Sequence, residues 1–445
     1  MQAYISSFSF DQRLAPYDIA GSIAHVTMLS AKRIISAAAA GKIISGLKSI
    51  DRDLRNGKKL PPAEDIHFAI EAELVRRIGE TGKKMHTARS RNDQVVLDLK
   101  LYAREASQKI IRKIQDTQKA ILACAERSKN VLMPGYTHLQ HGQPLFFAHH
   151  ILAYGWMLER DKERFQDMRR RLDENPLGAC AFAGTAFPID RAKTAKLLKF
   201  SKTTENSVDT VSDRDFIVET VFDCALTMVH LSRFAEEIVN WSSSEFGFVS
   251  LPDHLTSGSS IMPQKRNPDT AELIRGKSSK TIGNLTQLLS LIKNLPLSYN
   301  RDLQEDKPPL FESADTTLAS LEIAEQTFAG LKVNAKRMEE ECRKGFLLAT
   351  ELADYLARKG LPFRKAHGIV NALIGDLRKS PGIGEDLENV PLSVLRKHCP
   401  LFGQDIFKYL SPKHNASNKN SYGGTGTKAL EAQIRNFKKK IFRKS

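Results

Sequence analysis

Cysteine is scarce in this sequence and follows no pattern. The five residues Cys124, Cys180, Cys224, Cys342 and Cys399 are scattered over 445 positions, odd in number and without a C-x-x-C. That argues against a disulfide framework and a structural zinc site, and fits a reducing cytoplasm. No apolar run approaches the roughly 18 residues of a membrane span, because Lys42 interrupts even the alanine-rich stretch at Ala37–Ala40. The opening residues MQAYISSFSF lack a basic start followed by an apolar block, so no signal peptide is expected and the protein should be soluble and unanchored. Also missing are G-x-x-x-x-G-K-[ST], G-x-G-x-x-G after a strand, H-E-x-x-H and G-x-S-x-G. Gly423-Gly424-Thr425-Gly426 follows no strand pattern and reads as a loop. His149 and His150 are neighbours on a helical pattern and point apart, which suits solvated or core histidines better than metal ligands.

What is present is an ordinary globular composition, 41% hydrophobic and 27% charged, long enough for two or three domains. The net charge is +16, from 67 basic and 51 acidic residues. Two readings fit that surplus: nucleic-acid binding, or a site for polyanionic small molecules on a basic surface. Part of the excess lies in the tail, at Arg435, Lys438, Lys439, Lys440, Arg443 and Lys444. With no arginine stripe interleaved with aromatics and no zinc finger, the second reading is preferred and no nucleic-acid partner is expected.

Helical periodicity dominates the pattern. From about Val95 to Lys129, Tyr102, Ala106, Ile110 and Ile114 recur every fourth residue, with Ile111 and Ile121 widening the stripe. A helix of roughly 30 residues would be about 45 Å long. A second helix is expected to start at Pro144 and run towards Leu172 with Phe147, Ile151, Tyr154 and Leu158 inward. Further long helices are expected at Asp215–Trp241, Pro268–Lys293 and Ser313–Leu331. Strand signals are weak, and no convincing hairpin dipeptide stands between two of them. Asp215–Trp241 is apolar on more than one face, so a bundle whose remaining apolar faces meet other copies of the chain is expected. Shorter helices flank this middle, giving the expected division 1–88, 89–339 and 340–445.

Three stretches break the helical rhythm with polar, glycine and proline residues, each beside a long helix: Gly82–Gln94, Met133–Pro144 and Thr256–Asp269. Capping by Ser90, Asn92 or Asn267-Pro268 accounts for part of this, but not for Lys265 or the serines after Gly258. Gly258 lets the backbone approach a substrate, Ser259 offers a hydroxyl, and Lys265 with the following helix start supplies positive potential for a developing carboxylate anion. His138 is the natural proton handler near neutral pH. Glu272, one turn into the next helix, could orient an imidazole.

These loops, in this order, resemble the signatures of the fumarase/aspartase superfamily, most specifically its G-S-S-x-M-P-x-K-x-N-P pattern. Within it the details resemble the argininosuccinate lyase family. Gln264 gives M-P-Q-K, His86–Asp93 matches H-T-G-R-S-R-N-D apart from Ala88 in place of glycine, and Tyr299–Lys307 is similar to Y-N-x-D-L-Q-E-D-K. Asn206–Phe216, Leu177-Gly178, Ala183-Gly184 and Tyr422–Thr425 add support, so the likeness covers nearly the whole chain. The family's L-W-G-G-R-F opening motif is missing here.

The resemblance implies three all-α domains with a central long-helix bundle that assembles into a homotetramer whose active sites combine loops from three subunits. It implies a carbon–nitrogen lyase that splits argininosuccinate reversibly into arginine and fumarate, as in arginine biosynthesis and the urea cycle, with no metal or organic cofactor. Ser259 matches the general base. His138, paired with Glu272, matches the residue serving the leaving nitrogen. Lys265 and Asn267 match the groups that stabilise the aci-carboxylate. Ser7, Arg91, Asn92, Thr137, Tyr299, Gln304 and Lys307 match substrate contacts. A sister lyase for another N-substituted aspartate, or a crystallin-like role without catalysis, are the alternatives.

Overall fold

A computed structural model describes residues 2–379 and 385–442; Arg443 and Lys444 of the basic tail lie outside them. The chain is all-α apart from small strand pairs. Its frame is five long helices, Arg91–Arg127, Phe147–Leu172, Asp215–Trp241, Asp269–Ile292 and Lys307–Gly330. The stripe expected on the first is inward: Tyr102, Ala106, Ile110, Ile111, Ile114 and Ile121 are all buried. The third has the bounds its periodicity predicts. The fifth begins at Lys307 rather than Ser313, because Pro308 and Pro309 sit in a first turn whose N–H groups have no helical partner to lose.

The second helix corrects the expected start. It begins at Phe147, and Pro144 lies in a strand instead. Strand β1 (Leu132–Thr137) pairs antiparallel with β2 (Gln140–Phe146), with Pro144 opposite Pro134 and an irregularity between Pro134 and Tyr136. Proline suits such a position because it has no N–H to give to a ladder.

The chain divides into two compact units, Met1–Lys113, Asp161–Val229 and Gly276–Ser320 in the first, and Ile114–Arg160, His230–Arg275 and Leu321–Ser445 in the second. The division crosses every long helix. The first, third and fifth begin in the first unit, the second and fourth in the second.

In the first unit Tyr102 sets its ring edge-on to Phe311 at 4.7 Å and to Tyr17 at 5.9 Å. Leu97, Leu101, Leu177, Leu198 and Phe200 form a buried cluster with Ala24. In the second unit Phe234 stacks on Phe328 at 4.4 Å and takes Tyr154 edge-on at 5.5 Å. Such ring pairs add about 0.5–1.5 kcal/mol to the gain from area burial. Gly155 lets the Thr427–Phe442 helix close in: a Cβ there would stand 2.5 Å from the Phe437 ring. A separate core around Leu352, Leu356, Leu373, Leu395 and Phe402 builds the C-terminal part. Among the described residues no helix is long and apolar enough to cross a membrane.

The first unit also buries charge. His67 Nδ1 lies 3.3 Å from Asp18 and 3.1 Å from Asp98, all three without exposure, and the Gln94 amide donates to Asp18. Burial alone would lower the His67 pKa, but the hydrogen bonds and charges of the two carboxylates outweigh it and raise the value to about 9. Burial and then the charge of Asp18 push Asp98 up to about 7. A histidine raised in the folded state contributes stability that is complete below its ordinary value near 6.5 and lost as pH climbs through about 9. Melting midpoints should therefore fall between those two pH values, and His67→Gln should flatten the fall; an unchanged slope in the variant would exclude His67 as its source.

Candidate active site

In the first unit the Gly82–Gln94 segment ends in a reciprocal helix cap. Ser90 Oγ accepts from the Asn92 N–H at 3.3 Å, and the Asp93 carboxylate accepts from the Ser90 N–H at 3.1 Å. The same buried carboxylate accepts from Gly178 N–H at 3.0 Å and Cys180 N–H at 2.9 Å, while Asn92 Nδ2 donates to the Ala181 carbonyl at 2.9 Å. The two loops are thereby clamped together. Arg91 pairs with Asp65 at 3.1 Å and donates to Gln94 at 2.8 Å.

Asp65 also caps the Ile66–Ile78 helix through the Phe68 N–H. Its neighbour Glu64 holds Arg301 at 2.9 Å, and both Arg301 and Gln304 donate to the Ile5 carbonyl. Ser7 is buried, donating its hydroxyl to Asp11 at 2.6 Å and its N–H to the Glu64 carbonyl. Burial raises the Tyr299 pKa, so its phenol stays a donor. Lys307 is buried against Asp306 at 3.1 Å, and Asp306 also takes Arg214. Segments 5–11, 64–66, 91–94 and 299–307 thus form one polar network.

In the second unit His138 and Leu139 are the tip of the β1–β2 hairpin, both with left-handed backbone, at φ 55° and 56°. Non-glycine residues there cost about 1–2 kcal/mol each. His138 and Thr137 are exposed. The third loop is a lobe closed by Ser257 pairing with Asn267 and Gly258 with Arg266. Inside it Ser259 Oγ accepts from two backbone donors, the Ile261 N–H at 3.2 Å and the Met262 N–H at 3.0 Å. Two amide dipoles aimed at one oxygen favour its deprotonated form. Lys265 is exposed at the lobe, Asn267 Nδ2 reaches Ser257 Oγ at 3.5 Å, and Glu272 lies in the first turn of the Asp269–Ile292 helix. Within the chain no hydrogen bond or ion pair joins His138 to Glu272 or Ser259 to Lys265 among the described residues.

The lyase family matches residues 1–283, and the argininosuccinate lyase C-terminal family matches residues 346–417. The argininosuccinate lyase of Syntrophus aciditrophicus is 48% identical over 437 residues, covering 98% of this chain and 92% of that protein. That of Staphylococcus epidermidis is 50% identical over 432 residues, covering 97% and 93%. The chain belongs to the argininosuccinate lyase family. Among solved structures, an EDDS lyase in complex with formate superposes with a TM-score of 0.88 at 27% identity, covering 97% of this chain and 87% of that one.

The residues that the argininosuccinate lyase signature marks sort by unit. Ser7, Arg91, Asn92, Tyr299, Gln304 and Lys307 belong to the first, and Thr137, His138, Ser259, Lys265, Asn267 and Glu272 to the second. Sequence reasoning missed Asp65 and Glu64, whose only signal was an aspartate ahead of a helical pattern. Arg214 and Asp306 fall within the family-like segments Asn206–Phe216 and Tyr299–Lys307, where sequence alone gives neither a role. Asp18, His67 and Asp98 bring three possible metal donors within 4.8 Å of one another. The Gln94 amide donating into that cluster marks it as a charge network rather than an open ligand set.

Ala88 has φ 57°, which explains why the family signature carries glycine there, and its carbonyl accepts from the Cys180 thiol at 3.3 Å. Ala88→Gly should raise stability by up to about 1 kcal/mol, the left-handed cost less the added chain entropy of glycine, readable as a higher melting midpoint. Asp65→Ala should lower stability by about 1 kcal/mol through the lost cap and raise KM by releasing Arg91. Asp65→Asn, which can still cap, separates the effects: a raised KM with a retained midpoint is expected, and an unchanged KM would detach Asp65 from substrate binding.

Proposed function

We propose that this chain catalyses the reversible elimination of argininosuccinate to L-arginine and fumarate, in the cytoplasm and in the service of arginine biosynthesis. The observation that carries the chemistry is the cradle around Ser259, whose oxygen receives two backbone N–H groups. A proton on carbon beside a carboxylate is weakly acidic, and a serine is an equally unpromising base. Each unit by which its pKa is lowered requires about 1.4 kcal/mol from its surroundings. The Ile261 and Met262 amides, with the charge of Lys265 nearby in sequence, are of the right kind to supply it.

Ser259 removes the proton, and the electron pair left on carbon delocalises into the adjacent carboxylate. Lys265 and Asn267 stabilise the resulting dianion. The pair then forms the carbon–carbon double bond as the carbon–nitrogen bond breaks, and His138, oriented by Glu272, gives the departing guanidine its proton. Arg91, Asn92, Thr137, Tyr299, Gln304 and Lys307 hold the carboxylates and the arginine moiety, with Ser7 contributing through the position of its loop. No metal or organic cofactor takes part. His138 and Ser259 stand on exposed loops, and the Asp269–Ile292 helix exposes Leu273, Ile282 and Leu289. Both features support a homotetramer in which loops of different copies complete each site. The division 1–88, 89–339 and 340–445 belongs to the same reading, as does the absence of nucleic-acid and membrane partners.

Purified protein mixed with argininosuccinate should generate the ultraviolet absorbance of fumarate with nothing added, at a rate a chelator leaves unchanged. Over a panel of N-succinyl compounds, argininosuccinate should show the highest kcat/KM; preference for another compound would move the chain to a sister lyase. Ser259→Ala and His138→Asn should each lower kcat by roughly 10²–10⁴-fold with the tetramer intact, and near-normal turnover in Ser259→Ala would remove the serine as base.

A further inference from the structure

The β1–β2 hairpin holds its tip in an unusual way. Turns with both central residues left-handed normally use asparagine and glycine, which bear that backbone at little cost. Here His138 and Leu139 occupy them, and Leu139 is 76% exposed, so it gains no burial in exchange. The tip is also set off from the base of the hairpin, where Leu132, Met133 and Phe146 are buried and Leu145 half-buried, by the irregularity after Pro134. At that level Gly135 faces β2 so closely that a Cβ would stand 2.7 Å from the Gln143 carbonyl oxygen. The turn residues do not favour this backbone, and the ladder beneath them is interrupted between Pro134 and Tyr136.

One side-chain pair spans the strands between those two weak points. Tyr136 is directly opposite His141 in the register, its hydroxyl is hydrogen-bonded to His141 Nε2 at 3.1 Å, and the rings meet edge-on at 5.1 Å. The pair is tied to the body of the second unit. Tyr136 packs against Phe246 at 5.9 Å and Phe248 at 6.5 Å, and those two phenylalanines meet edge-on at 5.4 Å.

We propose that Tyr136 and His141 are positioning residues for the reaction: their hydrogen-bonded ring pair is the brace that keeps the left-handed His138–Leu139 turn, and with it the His138 imidazole, in one orientation. This rests on the reading of His138 as the proton donor to the leaving nitrogen. The brace acts chiefly on the chemical step because a proton must be delivered along one direction, whereas of the proposed substrate contacts only Thr137 shares this hairpin. Its loss therefore lowers kcat far more than it changes KM. The strain is part of the device. A glycine at 139 relaxes the turn and frees the imidazole to wander, so stability and activity move in opposite directions.

The test is steady-state kinetics and melting of the assembled enzyme carrying Tyr136→Phe, His141→Leu, His141→Gln, Leu139→Gly and, as reference, His138→Asn. Tyr136→Phe and His141→Leu are expected to lower kcat by roughly ten- to a hundredfold, with a much smaller change in KM and a near-constant melting midpoint. His141→Gln, which can still accept the tyrosine hydroxyl, should recover most of that loss. Leu139→Gly should raise the melting midpoint and lower kcat. Wild-type kcat in Tyr136→Phe and His141→Leu, beside an inactive His138→Asn, overturns the brace and leaves the role of His138 standing. A parallel loss of kcat and melting midpoint that His141→Gln does not restore also overturns it, by reducing the pair to a folding contact. Normal turnover in His138→Asn removes the proton donor itself, and the brace with it.

Discussion

Each of the five long helices buries one face along 24 to 37 residues, and that burial sets where the reactive loops end. A helix of this length cannot bend to suit a loop, so the loop takes its position from the helix. The marked segments lead into helix starts: Gly82–Gln94 into Arg91, the hairpin into Phe147, Asn206–Arg214 into Asp215, the Ser259 lobe into Asp269 and Tyr299–Asp306 into Lys307. Helix starts carry unsatisfied N–H groups and partial positive charge, which suits a substrate rich in carboxylates. Because successive helices begin alternately in the two units, the substrate-contact candidates other than Thr137 collect in the first unit and the proton-transfer candidates in the second.

Charge is distributed along the same line. The first unit encloses ionic groups where desolvation is costly: Arg214, Asp306 and Lys307 together, and His67 between Asp18 and Asp98. A buried pair of this kind contributes little net stability, but removing one partner strands the other, so such networks hold their members in place. In the second unit His138, Lys265 and Glu272 are exposed and without ion pairs among the described residues. The exposed candidates thus lie in the second unit, while in the first Ser7 and Lys307 are buried among the groups that fix the loops.

Most of the helical frame was legible in the sequence because burial of a continuous stripe leaves a 3.6-residue period, as in Asp215–Trp241, where the expected and observed bounds agree. The hairpin was not legible. Its turn is His-Leu rather than a glycine dipeptide, and Pro144, a favoured first helical residue, pointed to a helix start that the chain places three residues later at Phe147. Local preference lost there to cross-strand pairing, which no short window of sequence displays. Lys307 shows the same limit at a helix start, since Pro308 and Pro309 read as a break in the periodicity although both fit a first helical turn.

By itself the sequence determined the class of fold, the reactive residue types and their order, because periodicity and motif spacing are properties of consecutive positions. Only the tertiary structure decided how those residues are held: Ser259 under two backbone amides, Asn92 and Asp93 clamped to residues 178–181, Arg91 on Asp65, and His138 on a strained tip. These are contacts between segments far apart in the chain, or orientations of backbone dipoles, and both come into being only when the long helices pack.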